Sequence, residues 1–219
     1  MAREPHPLPG GPIMSGADRH PPDEDHDLVA HAQAGDTRAF EALVRRHQRW
    51  VFTLALRMIG DAAEAEDLSQ DVFLKAYRGL AGFRGTARFS TWLYSIASHH
   101  CLNALEARGR QPLHQRERER TGDDDPPPRV ERLANGAPGA DTLLERQERA
   151  RLVQAALARL KTDQRLIVVL RDIQGMSYEA IAEALGIELG TVRSRLHRAR
   201  MELKGLLAPH FEAGDPGGA

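Results

Sequence analysis

In GTVRSRLHRAR, residues Gly190 to Arg200, four arginines, a serine and a histidine share a short segment with Val192, Leu196 and Ala199. Guanidinium groups donate in pairs to base edges and neutralise phosphates, while hydroxyl and imidazole groups add donors of shorter reach. The chemistry on offer is recognition of a polyanion rather than the making of bonds. A merely solvated helix face would carry similar residues, so the assignment rests on the elements that hold them.

From Leu189 to Leu203 apolar residues recur at steps of three and four, the period of one helical face. At about 100° per residue, Thr191, Ser194, His197, Arg198 and Met201 fall opposite that stripe, with Arg193, Arg195 and Arg200 on its flanks. The preceding MSYEAIAEALGIE supplies an N-cap at Ser177, an acid in the first turn at Glu179, a stripe of Tyr178, Ile181, Ala182 and Leu185, and a stop at Gly186. A short helix, a glycine turn and a second helix with a basic outer face predict a helix-turn-helix whose second helix enters the major groove. An ordinary helical hairpin shares the outline but has no need of this arginine density.

A second group lies upstream. Phe83, Phe89, Trp92 and Tyr94 interleave with Arg84 and Arg88 in a chain that is only 5% aromatic. Rings stack on unpaired bases and cations meet phosphates, which is what a single-stranded nucleic acid requires. Such rings also build cores, and Phe89 and Trp92 suit that role best.

The net charge of −1 conceals a strong asymmetry. Asp23, Glu24, Asp25, Asp27, Asp61, Glu64, Glu66, Asp67 and Asp71 make the first stretch acidic, whereas Lys75, Arg78, Arg84, Arg88, Arg108, Arg110, Arg116, Arg118 and Arg120 dominate the next. One acidic and two basic surfaces imply two kinds of partner, a nucleic acid and a basic protein face.

Composition excludes several classes. The single cysteine, Cys101, permits no intramolecular disulfide and fits a reducing compartment. His99, His100 and Cys101 are consecutive and diverge on a helix, so neither a metal site nor a cofactor is expected. No secretory signal and no run of about 18 apolar residues is present, so a soluble, cytoplasmic protein without membrane insertion is expected.

The 219 residues divide into two small all-α domains. Residues 1–25 read as a disordered tail, 26–107 as the first domain, 108–140 as a flexible linker rich in Pro and Gly, 141–207 as the second domain carrying the helix-turn-helix (winged-helix-like), and 208–219 as a second tail. In the first domain, Leu28, Val29 and Ala32, then Phe40, Leu43, Val44, His47, Val51 and Leu54, repeat with helical spacing, punctuated by Gly35 and Gly60. Phe89, Leu93, Ile96, Ala97 and Ala104 form a further stripe.

The segments AEDLSQDVFLKAYRGLAGFRGTARFSTWLYSIA and LLERQERARLVQAALARLKTDQRLIVVLRDIQGMSYEAIAEALGIELGTVRSRLHRARMELKGLL resemble regions 2 and 4 of bacterial RNA polymerase sigma factors of the extracytoplasmic-function (ECF) type, in the sigma-70 family. The resemblance implies a non-enzymatic initiation factor that binds core RNA polymerase, melts a minus-ten promoter element with its first domain and holds a minus-thirty-five element with its second. It assigns Asp67, Gln70 and Asp71 to the polymerase, and the Gly79–Gly85 loop with the helix after it, through Phe83, Arg84, Arg88, Trp92, Tyr94, His99 and Asn103, to the promoter strand. Arg193, Ser194, His197 and Arg198 fall to duplex DNA. An anti-sigma factor is implied as a further partner. Ser98 and His99 stand where family members often have Arg-Asn, Ser95 where arginine is common, and Glu188 where proline is common.

Two other readings use the same residues. A stand-alone helix-turn-helix regulator would keep the second domain and make the first a sensor, which needs neither the acidic patch nor the basic aromatics. A metal-dependent nucleic-acid enzyme would use Glu64, Asp67 and Asp71 but lacks accompanying His or Cys ligands.

Overall fold

The computed structural model describes residues 25–110 and 140–212, and every regular element in them is helical. The tail read over 1–25 (apart from Asp25), most of the linker read over 108–140, and residues 213–219 lie outside the described residues.

The first half comprises α1 (His26–Gln33), α2 (Thr37–Ile59), α3 (Ala62–Gly79), a 3-10 turn at Leu80–Gly82, and α4 (Phe89–Arg110). Asp36 starts α2 by accepting from the amides of Arg38 and Ala39, and Asp61 starts α3 by accepting from the amide of Glu64. Between them Gly60 takes a left-handed conformation, φ 87°, which ends α2 and reverses the chain at no steric cost. Buried Leu43, His47, Val51, Leu54 and Met58 run down α2 at steps of four and three, and α1, α3 and α4 pack around that stripe.

The second half comprises α5 (Ala140–Arg159), α6 (Thr162–Val168) continuing through a π turn at Val169–Ile173, α7 (Tyr178–Leu185) and α8 (Leu189–Glu212). Leu166 to Leu170 are buried without interruption, so α6 is the hub of this half rather than an amphipathic surface helix. Against it α8 lays Val192, Leu196, Ala199, Leu203 and Leu207. Because Leu207 extends the buried stripe by one more turn, α8 runs on to Glu212 through Pro209, past the boundary expected at 207.

The halves touch. Helices α2 and α4 contact α5, α6 and α7, and the buried residues of both halves form one hydrophobic cluster.

Candidate nucleic-acid interfaces

The helix-turn-helix is built from local chemistry. Ser177 accepts from the amide of Ala180 at 3.0 Å to start α7, and Gly186, left-handed with φ 63°, ends it. The Arg171 guanidinium lies 4.7 Å from the Tyr178 ring centroid and donates to the Met176 carbonyl, fixing the entry to α7. On α8, Arg193, Ser194, His197 and Arg198 are exposed above the buried Val192, Leu196 and Ala199.

The four arginines that the helical wheel left on or beside one face divide into two pairs. Arg195 pairs with Asp163 at 3.5 Å, and Arg200 makes a two-pronged pair with Asp172, which raises its pKa through that hydrogen bond despite partial burial. These two hold α8 to its own domain. Arg198 instead lies along the helix, donating to the Ser194 carbonyl at 3.3 Å, while Ser194 Oγ donates to the Thr191 carbonyl. Arg193 projects outward beside them.

The second site lies between α1 and the segment that precedes α4. A groove of ≈380 Å³ runs between Asp25, Val29 and Gln33 on one wall and Phe83, Arg84 and Arg88 on the other. Its loop is held by Gln33, whose Nε2 donates to the carbonyls of Leu80 at 2.9 Å and Phe83 at 2.7 Å. Sequence reading passed over Gln33, since a single amide has no periodic signal. Arg84 and Arg88 are exposed and form no ion pair among the described residues.

Of the aromatics, Phe83, Phe89 and Trp92 form one cluster with centroids 5.0 to 6.1 Å apart. Phe83 and Trp92 stay partly exposed, Phe89 is buried, and Trp92 backs against Gly79. Tyr94 departs from the sequence expectation. It is 8% exposed and stacks on Trp50 at 3.8 Å, so its ring face belongs to the core and offers nothing to a base. Further along α4, His99 and Asn103 are exposed at helical spacing from Trp92. The Nδ1 hydrogen of His99 goes to the Ser95 carbonyl at 2.7 Å. Ser98, by contrast, is fully buried.

The acidic residues make a third surface. Asp67, Gln70 and Asp71 are exposed along one ridge of α3, and the ridge continues into Leu74 and Tyr77, 52% and 49% exposed. Those two apolar side chains were missed, although they continue the same step of three and four. Glu64 turns away from the ridge to an ion pair with Arg108 at 3.0 Å, which separates it from the carboxylate set that a metal-dependent enzyme would need.

Comparison with known proteins gives a consistent picture. The Sigma-70 region 2 family matches residues 43–111, and Sigma-70 region 4 matches residues 150–203. The RNA polymerase sigma-H factor of Pseudomonas aeruginosa is 37% identical over 187 residues, 85% of this chain and 95% of that protein. The ECF RNA polymerase sigma-E factor of Escherichia coli K12 is 35% identical over 190 residues, covering 84% and 95% respectively. Among solved structures, CnrH in complex with the cytosolic domain of CnrY is similar with a TM-score of 0.61 and 27% identity, over 85% of this chain and 99% of that one. The fold is shared also with the sigma factor RpoE of Bartonella quintana, solved with the anti-sigma factor NepR, at a TM-score of 0.56 and 24% identity over 77% and 96% of the two chains. With both sigma regions in order, and relatives aligned along nearly their whole length, the chain belongs to the ECF sigma factors of the sigma-70 family.

Proposed function

We infer that the chain is a transcription initiation factor that joins core RNA polymerase and directs it to specific promoters, with no reaction of its own. The observation that carries this reading is the pairing of two different nucleic-acid surfaces in one chain. One is an exposed donor set on α8 of the kind that reads duplex DNA. The other is a groove walled by Phe83, Arg84 and Arg88, of a size to receive an unstacked nucleotide. A stand-alone regulator needs only the first.

In this reading, Arg193, Ser194, His197 and Arg198 hold the minus-thirty-five duplex. The groove, with Trp92, His99 and Asn103 along α4, takes the opened minus-ten strand. The ridge of Asp67, Gln70 and Asp71, extended by Leu74 and Tyr77, meets a polymerase surface that is basic at one end and apolar at the other. The similar CnrH was solved in complex with the cytosolic domain of CnrY, and a protein partner, of the anti-sigma class, fits this chain. The place of work is the cytoplasm, with the polymerase; among the described residues no helix is long and apolar enough to cross a membrane.

The test is to purify the chain with core polymerase and map the transcript starts that it selects. A defined set of starts sharing two upstream elements is expected. Failure to join core polymerase, together with tight sequence-specific binding to duplex DNA by the chain alone, would favour the regulator.

A further inference from the structure

Helix α8 begins at Leu189, so Arg198 sits roughly 14 Å along its axis at about 1.5 Å per residue. A recognition helix presents its N-terminal residues to base edges, and the major groove that receives it is about 8.5 Å deep. A side chain that far up the helix meets a base only if it is directed back toward the N-terminal end.

That is how Arg198 lies. Its Nε donates to the Ser194 carbonyl at 3.3 Å, and its Nη2 stands 3.5 Å from Ser194 Oγ. Ser194 Oγ in turn donates to the Thr191 carbonyl at 3.1 Å. Thr191 belongs to the first turn of the helix, its amide donating to Glu188 O at 2.9 Å. One hydroxyl thus links the guanidinium to the backbone of that first turn.

The hydroxyl is used on both sides. Its single hydrogen goes to Thr191 and one lone pair faces Arg198, so it has no donor left for guanine O6 or N7. The guanidinium keeps more. With Nε and one Nη2 hydrogen directed at Ser194, the end-on pair formed by Nη1 and the other Nη2 hydrogen remains. That fork matches the N7 and O6 acceptors of guanine, whereas adenine presents a donor in place of O6. Arg193 beside it is exposed and makes no hydrogen bond or ion pair among the described residues, so nothing sets its reach in advance.

We propose that Ser194 is a positioning residue, whose hydroxyl sets Arg198 to read one guanine of the upstream duplex element. The proposal rests on the initiation-factor reading above and assigns Ser194 its part in it. An arginine without such a hold spreads over many rotamers and reaches phosphates as readily as bases. Held through Nε and Nη2 it offers one orientation, and a general attraction to the DNA backbone becomes a choice of base. The orientation exists before DNA arrives, because every partner in it lies on α8. Removing the hydroxyl leaves the Nε bond to a backbone carbonyl, about which the guanidinium then swings.

The experiment compares the full chain as parent, Ser194→Ala, Ser194→Thr, Arg198→Ala and the double variant with both alanines. Each is scored on a promoter library randomised across the upstream element, once as transcripts made with core polymerase and once as duplexes retained by the chain alone at low salt. Both positions are exposed, so the variants should fold as the parent does, which circular dichroism checks. Arg198→Ala should abolish a guanine preference at one base pair. Ser194→Ala should reduce that same preference about three- to tenfold and cause no further loss where Arg198 is already Ala. Ser194→Thr should restore it, since a threonine hydroxyl makes the same bond to a carbonyl one turn back. A preference lost at a different base pair, or an equal loss with and without Arg198, shows Ser194 meeting DNA directly and overturns the proposal. A Ser194→Ala chain that selects as the parent does overturns it also. If the parent selects no start with core polymerase while the two residues stay coupled in duplex retention, the initiation reading fails and the positioning role stands.

Discussion

Nε2 of His47, a fully buried residue of α2, stands 2.8 Å from Oδ2 of Asp25, the residue that precedes α1. On the other side of the ring, Trp50 Nε1 lies 2.9 Å from His47 Nδ1. An indole nitrogen only donates, so Nδ1 accepts and Nε2 carries the hydrogen given to the carboxylate. Arg46 donates to the other carboxylate oxygen at 2.7 Å. The start of α1, and with it one wall of the groove beside Phe83, is thereby fastened to the middle of α2.

Replacing His47 with Ala should cost about 1–3 kcal/mol, because it removes the acceptor of a buried indole hydrogen and one of the two side chains that donate to the Asp25 carboxylate. Burial by itself raises the Asp25 pKa, but the hydrogen bond from His47, then the hydrogen bond and charge of Arg46, outweigh it and hold the group below 3.8. A carboxyl lowered on folding contributes stability above its unfolded pKa, and that contribution is lost as pH falls through the lower, folded value. Urea unfolding of the parent and Asp25→Asn should therefore differ by a constant amount at about pH 5–7, and the difference should shrink below pH 3.8. A gap that persists undiminished at low pH would show that the carboxylate charge is not what matters.

On α8, Arg193→Ala and Arg198→Ala should each weaken promoter use by about 1–3 kcal/mol if the contact is to a base. Arg200→Ala is expected to behave differently, since its partner is Asp172 in the same domain. It should lower the melting stability of that domain by about 1–2 kcal/mol and leave promoter choice intact. Transcription from a promoter library, set beside thermal unfolding, separates the two kinds of arginine.

Along α3, Asp67→Lys with Asp71→Lys should reduce affinity for core polymerase at least about tenfold, or ~1.4 kcal/mol. Leu74→Ser should add to that loss. Because all three positions are exposed, unfolding free energies should stay within about 0.5 kcal/mol of the parent. Unchanged affinity in a labelled-chain titration would remove this ridge from the polymerase interface.

Neighbouring residues of α4 should separate cleanly in their effects. Trp92→Ala should slow promoter opening more than it harms stability. Tyr94→Ala, which removes the ring stacked on Trp50, should cost about 3–5 kcal/mol of stability. Ser98 Oγ is buried with no hydrogen-bond partner among the described residues, so Ser98→Ala should be neutral or should stabilise by up to about 1 kcal/mol. Permanganate reactivity of the opened strand and urea titration report the two effects separately.

The pattern of what could be read in advance follows from the range of the interactions. Asp36, Asp61, Ser177, Gly60 and Gly186 act within one turn of their own position, and each stands where its residue type predicts. The stripe Val192, Leu196, Ala199 and Leu203 is likewise visible as a period. Tyr94 could not be placed that way, because its burial depends on Trp50, which lies on another helix. Arg195 and Arg200 flank the α8 stripe much as Arg193 does, and only the positions of Asp163 and Asp172 distinguish them. Gln33, Gln154 and Arg165 carry no signature, since an amide or guanidinium that caps a distant carbonyl looks like any surface residue until the fold closes. The long apolar run Leu166–Leu170 has no amphipathic period because helices cover it on more than one side.

Helix α2 contacts α3 and α4 directly, and its stripe carries no flexible joint between them. The ridge proposed to grip polymerase and the helix proposed to take the opened strand are thus two faces of a single rigid body. Wherever the enzyme holds α3, α4 sits at a set offset from the place where RNA synthesis begins. The packing of α2 acts as a ruler, so start sites should lie at a nearly constant number of nucleotides from the minus-ten element, whatever sequence lies between.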